Sequence, residues 1–280
     1  MFRLARRGAI EYLEGDDPES QDGLAQVFCT RLGGVSTGPY SSLNLGYLAG
    51  DRWEDVRRNQ KLVEEAFGIE PGRLILMRQV HGDRIVLLEG DAPLPEAPPE
   101  CDGLITDRPG VALAVRTADC VPLLFADRSR RIIGAAHAGW RGTALGIVRK
   151  MAETLAARFS VRPCDLTVRI GPAIGPCCYQ VDSPVFAAFS AMAGADLFLR
   201  PCAEEGRFMC DLVLANRLQL EAAGVPSANI DSAGLCTACR PDLFFSHRGQ
   251  AGSAGRMINL IMLAGRGRSK KCLTADGGLV

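Results

Sequence analysis

Short apolar runs bounded by glycine, proline or aspartate recur along the chain: LAQVFCT, RLILMRQV, RIVLL, GLIT, VALAVRT, VPLLFAD, RIIGAAH, LTVRIGP and MINLIML. Their length and their content of Val, Ile and Leu predict at least nine β-strands. Between them, residues 54–68 and 144–159 carry apolar side chains at helical spacing, the first with Val56, Val63, Ala66 and Phe67 on one side and Gly68 as its stop. A third helix fits DLVLANRLQLEAAG, with Asp211 as N-cap, Leu214, Leu218 and Ala222 on its apolar face, and Gly224 as terminator. Many strands follow one another through short turns instead of alternating with helices. That order predicts the α+β class, with mixed or antiparallel sheets and helices over their outer faces. The proline-rich stretch DAPLPEAPPE (91–100) is too short for a domain linker, so one domain over 1–280 is expected.

Charge and cysteine usage narrow the function classes. The 32 basic residues balance 32 acidic ones, so no bulk field attracts a polyanion, and nucleic acid is not an expected partner. No apolar stretch reaches bilayer length, and the start MFRLARRGAIEYLEGDD lacks a secretory apolar core. A cytoplasmic protein without membrane association is expected. The eleven cysteines are odd in number and several lie in apolar runs, which predicts reduced thiols. Two pairs, Cys177 with Cys178 in GPAIGPCCYQV and Cys236 with Cys239 in CTAC, are each read as site-lining or structural.

The chemistry concentrates at His81, Cys120 and His137, each standing where an apolar run breaks: LILMRQVHGDRI, VALAVRTADCVPLLFAD and RIIGAAHAGWRGTALG. Two imidazoles and a thiolate fill three corners of a zinc tetrahedron and leave the fourth for water or substrate, as a catalytic site requires. Residue types alone leave open that the three are unrelated. Asp119 directly precedes Cys120, so in extended backbone the two point to opposite faces and only one can ligate. Asp119 is left with orienting a histidine, binding substrate or capping a turn. The glycine- and hydroxyl-rich segment TRLGGVSTGPYSSLNLG (30–46) suits either a ligand loop or a structural Ω-loop. Arg141 follows His137 at the opening of a helix, which suits a phosphate clamp or a surface ion pair. His247 reads as a polar loop residue and not as a ligand.

Taken together, TRLGGVSTGPYSSLNLG, RQVHGDRI, CDGLIT, RTADCVPLLFAD, AAHAGWRG, IGPAIGPCCYQV and the closing CTAC…FFSHR…GR resemble the YfiH-like, laccase-domain family, also called multicopper polyphenol oxidoreductases, over about residues 24–265. The resemblance implies an αββα fold of two packed sheets with outer helices. It implies a purine nucleoside phosphorylase that acts on adenosine, inosine, guanosine and methylthioadenosine with phosphate and also deaminates adenosine. Zinc, with copper as the other candidate, would be held by His81, Cys120 and His137, which would also be the catalytic residues. Substrate contacts would come from Asn44, Asp119 and Arg141, and a monomer is expected. His247 stands where the family commonly has tyrosine. A mixed three-ligand set cannot furnish the several copper centres of a true laccase, so phenol oxidation is not expected. The rival readings are a metal-free cysteine hydrolase acting on cell-wall precursors, with Cys120 as nucleophile and His137 as base, and a nucleotide-binding protein without turnover.

Overall fold

The computed structural model describes residues 2–15, 23–47, 50–127 and 131–264, and it turns the apolar runs into strands covered on both faces. In chain order these are β1 (Phe2–Arg7), β2 (Ile10–Gly15), β3 (Leu24–Cys29), β4 (Leu74–Leu76), β5 (Ile85–Leu88), β6 (Gly103–Thr106), β7 (Ala112–Thr117), β8 (Val121–Asp127), β9 (Ile132–Ala138), β10 (Thr167–Ile170), β11 (Gln180–Val181), β12 (Leu199–Pro201), β13 (Phe208–Cys210), β14 (Ile230–Ser232) and β15 (Met257–Leu263). The helices are α1 (Trp53–Phe67), α2 (Trp140–Ala144), α3 (Ile147–Phe159), α4 (Ser183–Phe189), α5 (Ala195–Phe198) and α6 (Leu212–Ala222). One six-stranded sheet runs β1-β2-β3-β15-β7-β4, the other β14-β10-β8-β9-β6-β5, and a small third sheet runs β11-β13-β12. Both large sheets are mixed: β4 with β7, β5 with β6 and β10 with β14 pair parallel, the other neighbours antiparallel.

Alternation along β15 shows how the layers form. Ile258, Leu260 and Met262 face α1, where Val63 and Phe67 pack with Tyr12 and Val27. Met257, Ile261 and Leu263 face the other way, into a seam where Phe28, Leu113 and Val115 meet Leu104, Leu124 and Ile133 of the second sheet. On that sheet's far side, Met151, Leu155 and Leu220 of α3 and α6 cover Val121, Phe125 and Ile170. The stacking is therefore αββα. Strands buried on both faces read as continuous apolar segments, and each fully buried Leu, Ile or Phe contributes about 1.5–3 kcal/mol, so these three seams hold the layers together.

Three details differ from the sequence-based expectation. The helix expected over 144–159 is split, because Gly146 adopts a left-handed φ of 79° and separates α2 from α3. In α6, Asp211 caps as expected by accepting from Leu214 N (2.9 Å), but the buried face is Leu212, Ala215, Asn216 and Leu220, with Ala222 exposed. That rotation lets Asn216 Nδ2 donate to Thr143 Oγ1 of α2 (3.0 Å) inside the helical layer. The hairpin β1–β2 escapes an apolar-run search because arginine and glutamate alternate through it. Of the segment expected to lack a secretory leader, residues 1, 16 and 17 lie outside the described residues, as do 265–280 of the single-domain span. No helix among the described residues is long and apolar enough to cross a membrane.

Candidate metal centre

The register of β8 and β9 builds the first half of the site. These antiparallel strands pair Val121 with Ala138 and Pro122 with His137, so Cys120, one residue before β8, comes beside His137 near the end of β9. His81 arrives from the loop after β4, where its φ of 58° is left-handed. Asp102, at the head of β6 and fully buried, holds that loop in place. Its carboxylate accepts the backbone N–H groups of Val80 (3.2 Å), His81 (3.1 Å) and Gly82 (2.8 Å), and also takes His137 Nδ1 at 2.8 Å. One carboxylate thus fixes the His81 backbone and orients the His137 ring, leaving Nε2 for Cys120.

The ligating atoms of His81, Cys120 and His137 all lie within 4.8 Å of one another. The two imidazole rings stand 4.8 Å apart at 72°. Gly139 keeps the space between the donors open: a Cβ there would stand 2.9 Å from His81 Nδ1 and 3.0 Å from Cys120 Sγ. Two imidazoles and a thiolate around such a cradle suit zinc or copper. Gly139 has an ordinary φ of −74°, so alanine there strains no backbone. Gly139→Ala should leave the melting temperature nearly unchanged while lowering zinc affinity at least tenfold in a chelator competition. An unchanged affinity would show that the cradle is not used.

Cys120 and His137 set each other's protonation. Burial would raise the Cys120 thiol, but the charge and hydrogen bonds of His137 and His81 outweigh it and bring it down to about 6. Burial would lower His137, yet the Cys120 charge and the bond to Asp102 raise it to about 9. Asp102, which burial alone would raise, is held below the usual carboxylate range by His137 and by the Gly82 N–H.

Among the described residues, the donors open onto a cavity of about 480 Å³ lined by five arginines, Arg78, Arg116, Arg141, Arg248 and Arg256, and by a single carboxylate, Asp119. The volume is that of a small-molecule site. Arg78 pairs with Glu100. Arg116 and Arg256 are half-buried, burial pulls both guanidiniums below their ordinary values, and no carboxylate among the described residues pairs with either. They are held instead by backbone carbonyls, Arg116 by Met77 O (3.0 Å) and Arg256 by Ala254 O (2.6 Å) and Gly255 O (2.9 Å). A wall with five guanidiniums facing the one carboxylate of Asp119 favours an anion.

The sequence-derived substrate residues separate here. Arg141 lines the cavity but is exposed, its guanidinium 4.3 Å over the Trp140 ring, and its helix is only five residues long. Asp119 is not in extended backbone, since its φ is 94°. Its oxygens accept Thr237 Oγ1 (2.6 Å) and Arg248 N (2.7 Å), so it braces two loops at the cavity wall, a role outside the three the sequence suggested. Asn44 does not line the cavity. It is 0% exposed, its Oδ1 taken by Gly46 N and Arg256 N (both 2.8 Å) and its Nδ2 given to Asp51 Oδ2 (3.0 Å). It anchors the loop that brings Gly46 and Tyr47 to the cavity. Much of the 30–46 segment is braced from within by Asn59 of α1, which accepts Val35 N (2.8 Å) and donates to Ser36 Oγ (2.9 Å) and Asn44 O (2.9 Å). His247 lines the cavity outside the donor set.

The sequence model of the multi-copper polyphenol oxidoreductase laccase family matches residues 25–264. The chain belongs to this family. Among its members, purine nucleoside phosphorylase YlmD of Geobacillus stearothermophilus is 43% identical over 247 residues, spanning 85% of this chain and 90% of the relative. Purine nucleoside phosphorylase YfiH of Escherichia coli is 35% identical over 86% of this chain and 94% of its own length. The crystal structure of Geobacillus stearothermophilus YlmD superposes with a TM-score of 0.86 at 38% identity, covering 94% of this chain and 99% of that one. Among the described residues of this family member, a second donor cluster exists: Cys177, Cys178, Cys236 and Cys239 converge, although the sequence presents them as two unrelated pairs.

Proposed function

We propose that the chain is a zinc-dependent purine nucleoside phosphorylase that also deaminates adenosine. The observation that carries the reading is the pairing of a His81–Cys120–His137 donor set with a cavity wall holding two half-buried arginines that form no salt bridge among the described residues. The phosphorylase relatives of similar length support it. Phosphorolysis forms a bond from a phosphate oxygen to the anomeric carbon and breaks the glycosidic C–N bond, whose electron pair leaves with the purine. Hydrogen phosphate carries the proton that the departing base takes up. Arg116 and Arg256 hold the phosphate and fix its approach, while Trp140 and Tyr179 give the base flat apolar surface within the cavity. A zinc ion bound by the three ligands would supply Lewis acidity toward a substrate oxygen or water. Asp102 keeps His137 in the tautomer that presents Nε2.

The test is incubation of purified chain with inosine, guanosine, methylthioadenosine or adenosine, with and without phosphate. Base and ribose 1-phosphate should appear only with phosphate, and inosine should appear from adenosine without it. No product under any condition would leave the nucleotide-binding reading standing. Arg141→Ala, on the rim, should raise the phosphate KM severalfold and leave deamination nearly unchanged. Equal losses in both would remove Arg141 from phosphate binding.

The cysteine-hydrolase reading keeps one specific support, the depressed Cys120 thiol beside a raised His137. Activity on a cell-wall amide that persists in chelator and vanishes on thiol alkylation would favour it.

A further inference from the structure

Two turns meet behind the cavity wall, one carrying Cys177 and Cys178, the other Cys236 and Cys239. A parallel β-bridge joins Ala173 to Cys236, with Ala173 N donating to Leu235 O (3.3 Å) and Thr237 N to Ala173 O (3.1 Å). Backbone pairing thus brings together thiols about sixty positions apart in the chain. Cys239 Sγ stands 3.5 Å from Cys177 Sγ and 3.4 Å from Cys178 Sγ, and all four sulfurs lie within 4.8 Å of one another.

Those spacings fit a metal better than a bridge. Ligands at about 2.3 Å around tetrahedral zinc stand about 3.8 Å apart, whereas a disulfide needs about 2.05 Å, and all four cysteines are free. Packing does not account for them either. Cys177 and Cys239 are exposed and Cys178 and Cys236 only half-buried, unlike the core thiols Cys29, Cys101 and Cys210. The turns are also shaped around sulfur. Gly175 N donates to Cys236 Sγ (3.2 Å), which fixes that sulfur in the turn. A Cβ on Gly175 would stand 3.2 Å from Cys236 Cβ and 3.3 Å from Cys177 Sγ, so a side chain there would crowd the sulfurs.

We propose that Cys177, Cys178, Cys236 and Cys239 form a closed four-thiolate site for a structural zinc ion, separate from the His81–Cys120–His137 centre. With every ligand position filled by protein, such a site carries no chemistry on substrate. Its effect is to staple two turns whose neighbours build the cavity. Ile174 and Tyr179 flank the first turn and line the cavity. Thr237, inside the second, donates to Asp119, whose other oxygen takes the Arg248 N–H. Zinc uptake here would release thiol protons and stiffen that wall.

The experiment measures bound zinc in full-length chain purified under reducing, chelator-free conditions, using a His81→Ala/His137→Ala variant so that the outcome does not depend on the other centre. This variant should retain about one zinc per chain, released only by a mercurial thiol reagent. Adding Cys236→Ser and Cys239→Ser should remove it. Cobalt loaded into the double-alanine chain should show intense thiolate-to-metal absorption, lost with Cys239→Ser and largely kept with Cys239→His, which restores a ligand and separates metal loss from misfolding. A folded double-alanine chain that takes up neither zinc nor cobalt would overturn the proposal. So would cobalt absorption indifferent to Cys239→Ser.

Discussion

Cys120→Ala should lose zinc affinity by well over the roughly 10–100-fold that follows removal of a residue that only orients a ligand, and phosphorolysis should fall with it. Asp102→Asn, which keeps the shape but weakens the acceptor for His137 Nδ1 and for three backbone N–H groups, should fall within that smaller range. The measurement is competition with a chromophoric chelator at several pH values, and its pH dependence is specific. The lowered Cys120 stabilises the metal-free fold fully above its unfolded value of 9.0 and loses this as pH falls through about 6. The raised His137 stabilises it fully below 6.5 and loses this as pH rises through about 9. Between about 6.5 and 9 the folded and unfolded pairs each hold one proton, so the two slopes cancel and stability is flat. Zinc needs both groups deprotonated and must displace that proton. Affinity should therefore rise about tenfold per pH unit on account of this pair, and Cys120→Ala should flatten the slope. A zinc affinity unchanged in Cys120→Ala would mean that this thiolate does not bind the ion, and an unchanged slope that its charge does not hold the His137 proton.

Arg256→Met, which keeps the aliphatic stem and removes the charge, should lower phosphorolysis by about 10²–10³-fold, the size of effect expected when a positioned donor to a developing anion is lost. Arg116→Met should behave similarly. Both guanidiniums also hold backbone carbonyls, so a general distortion has to be separated from lost phosphate binding. Adenosine deamination does this, since it uses water in place of phosphate. It should drop far less than phosphorolysis in both variants, with the phosphate KM rising most. Parallel losses in the two reactions would assign these arginines to the scaffold.

The layers were legible because β7, β8, β9 and β15 are covered on both faces, and such strands spell themselves out as unbroken apolar runs. The three metal-centre candidates were legible because histidine is scarce in this chain and thiolate and imidazole share an ion preference. Asp102 was not, although CDGLIT carries it openly. An aspartate before a strand reads as a turn residue until the β6–β9 pairing sets it against His137. Arg116 and Arg256 were hidden for the same reason: a charge inside an apolar strand or after a glycine gains meaning only when the fold turns it into a shared cavity wall. Asn44 ran the other way, since a polar residue in a glycine-rich loop suggests ligand contact, yet its amide is consumed in tying that loop to Arg256. The cysteine pairs met only through the bridge between Ala173 and Cys236, two residues whose pairing no local pattern announces.

The most direct test is X-ray diffraction collected above and below the zinc absorption edge from crystals grown with zinc. An anomalous peak about 2.0–2.3 Å from Cys120 Sγ, His137 Nε2 and a His81 ring nitrogen is the predicted result. Zinc bound elsewhere in the same crystal, with no peak among these three side chains, would contradict the account.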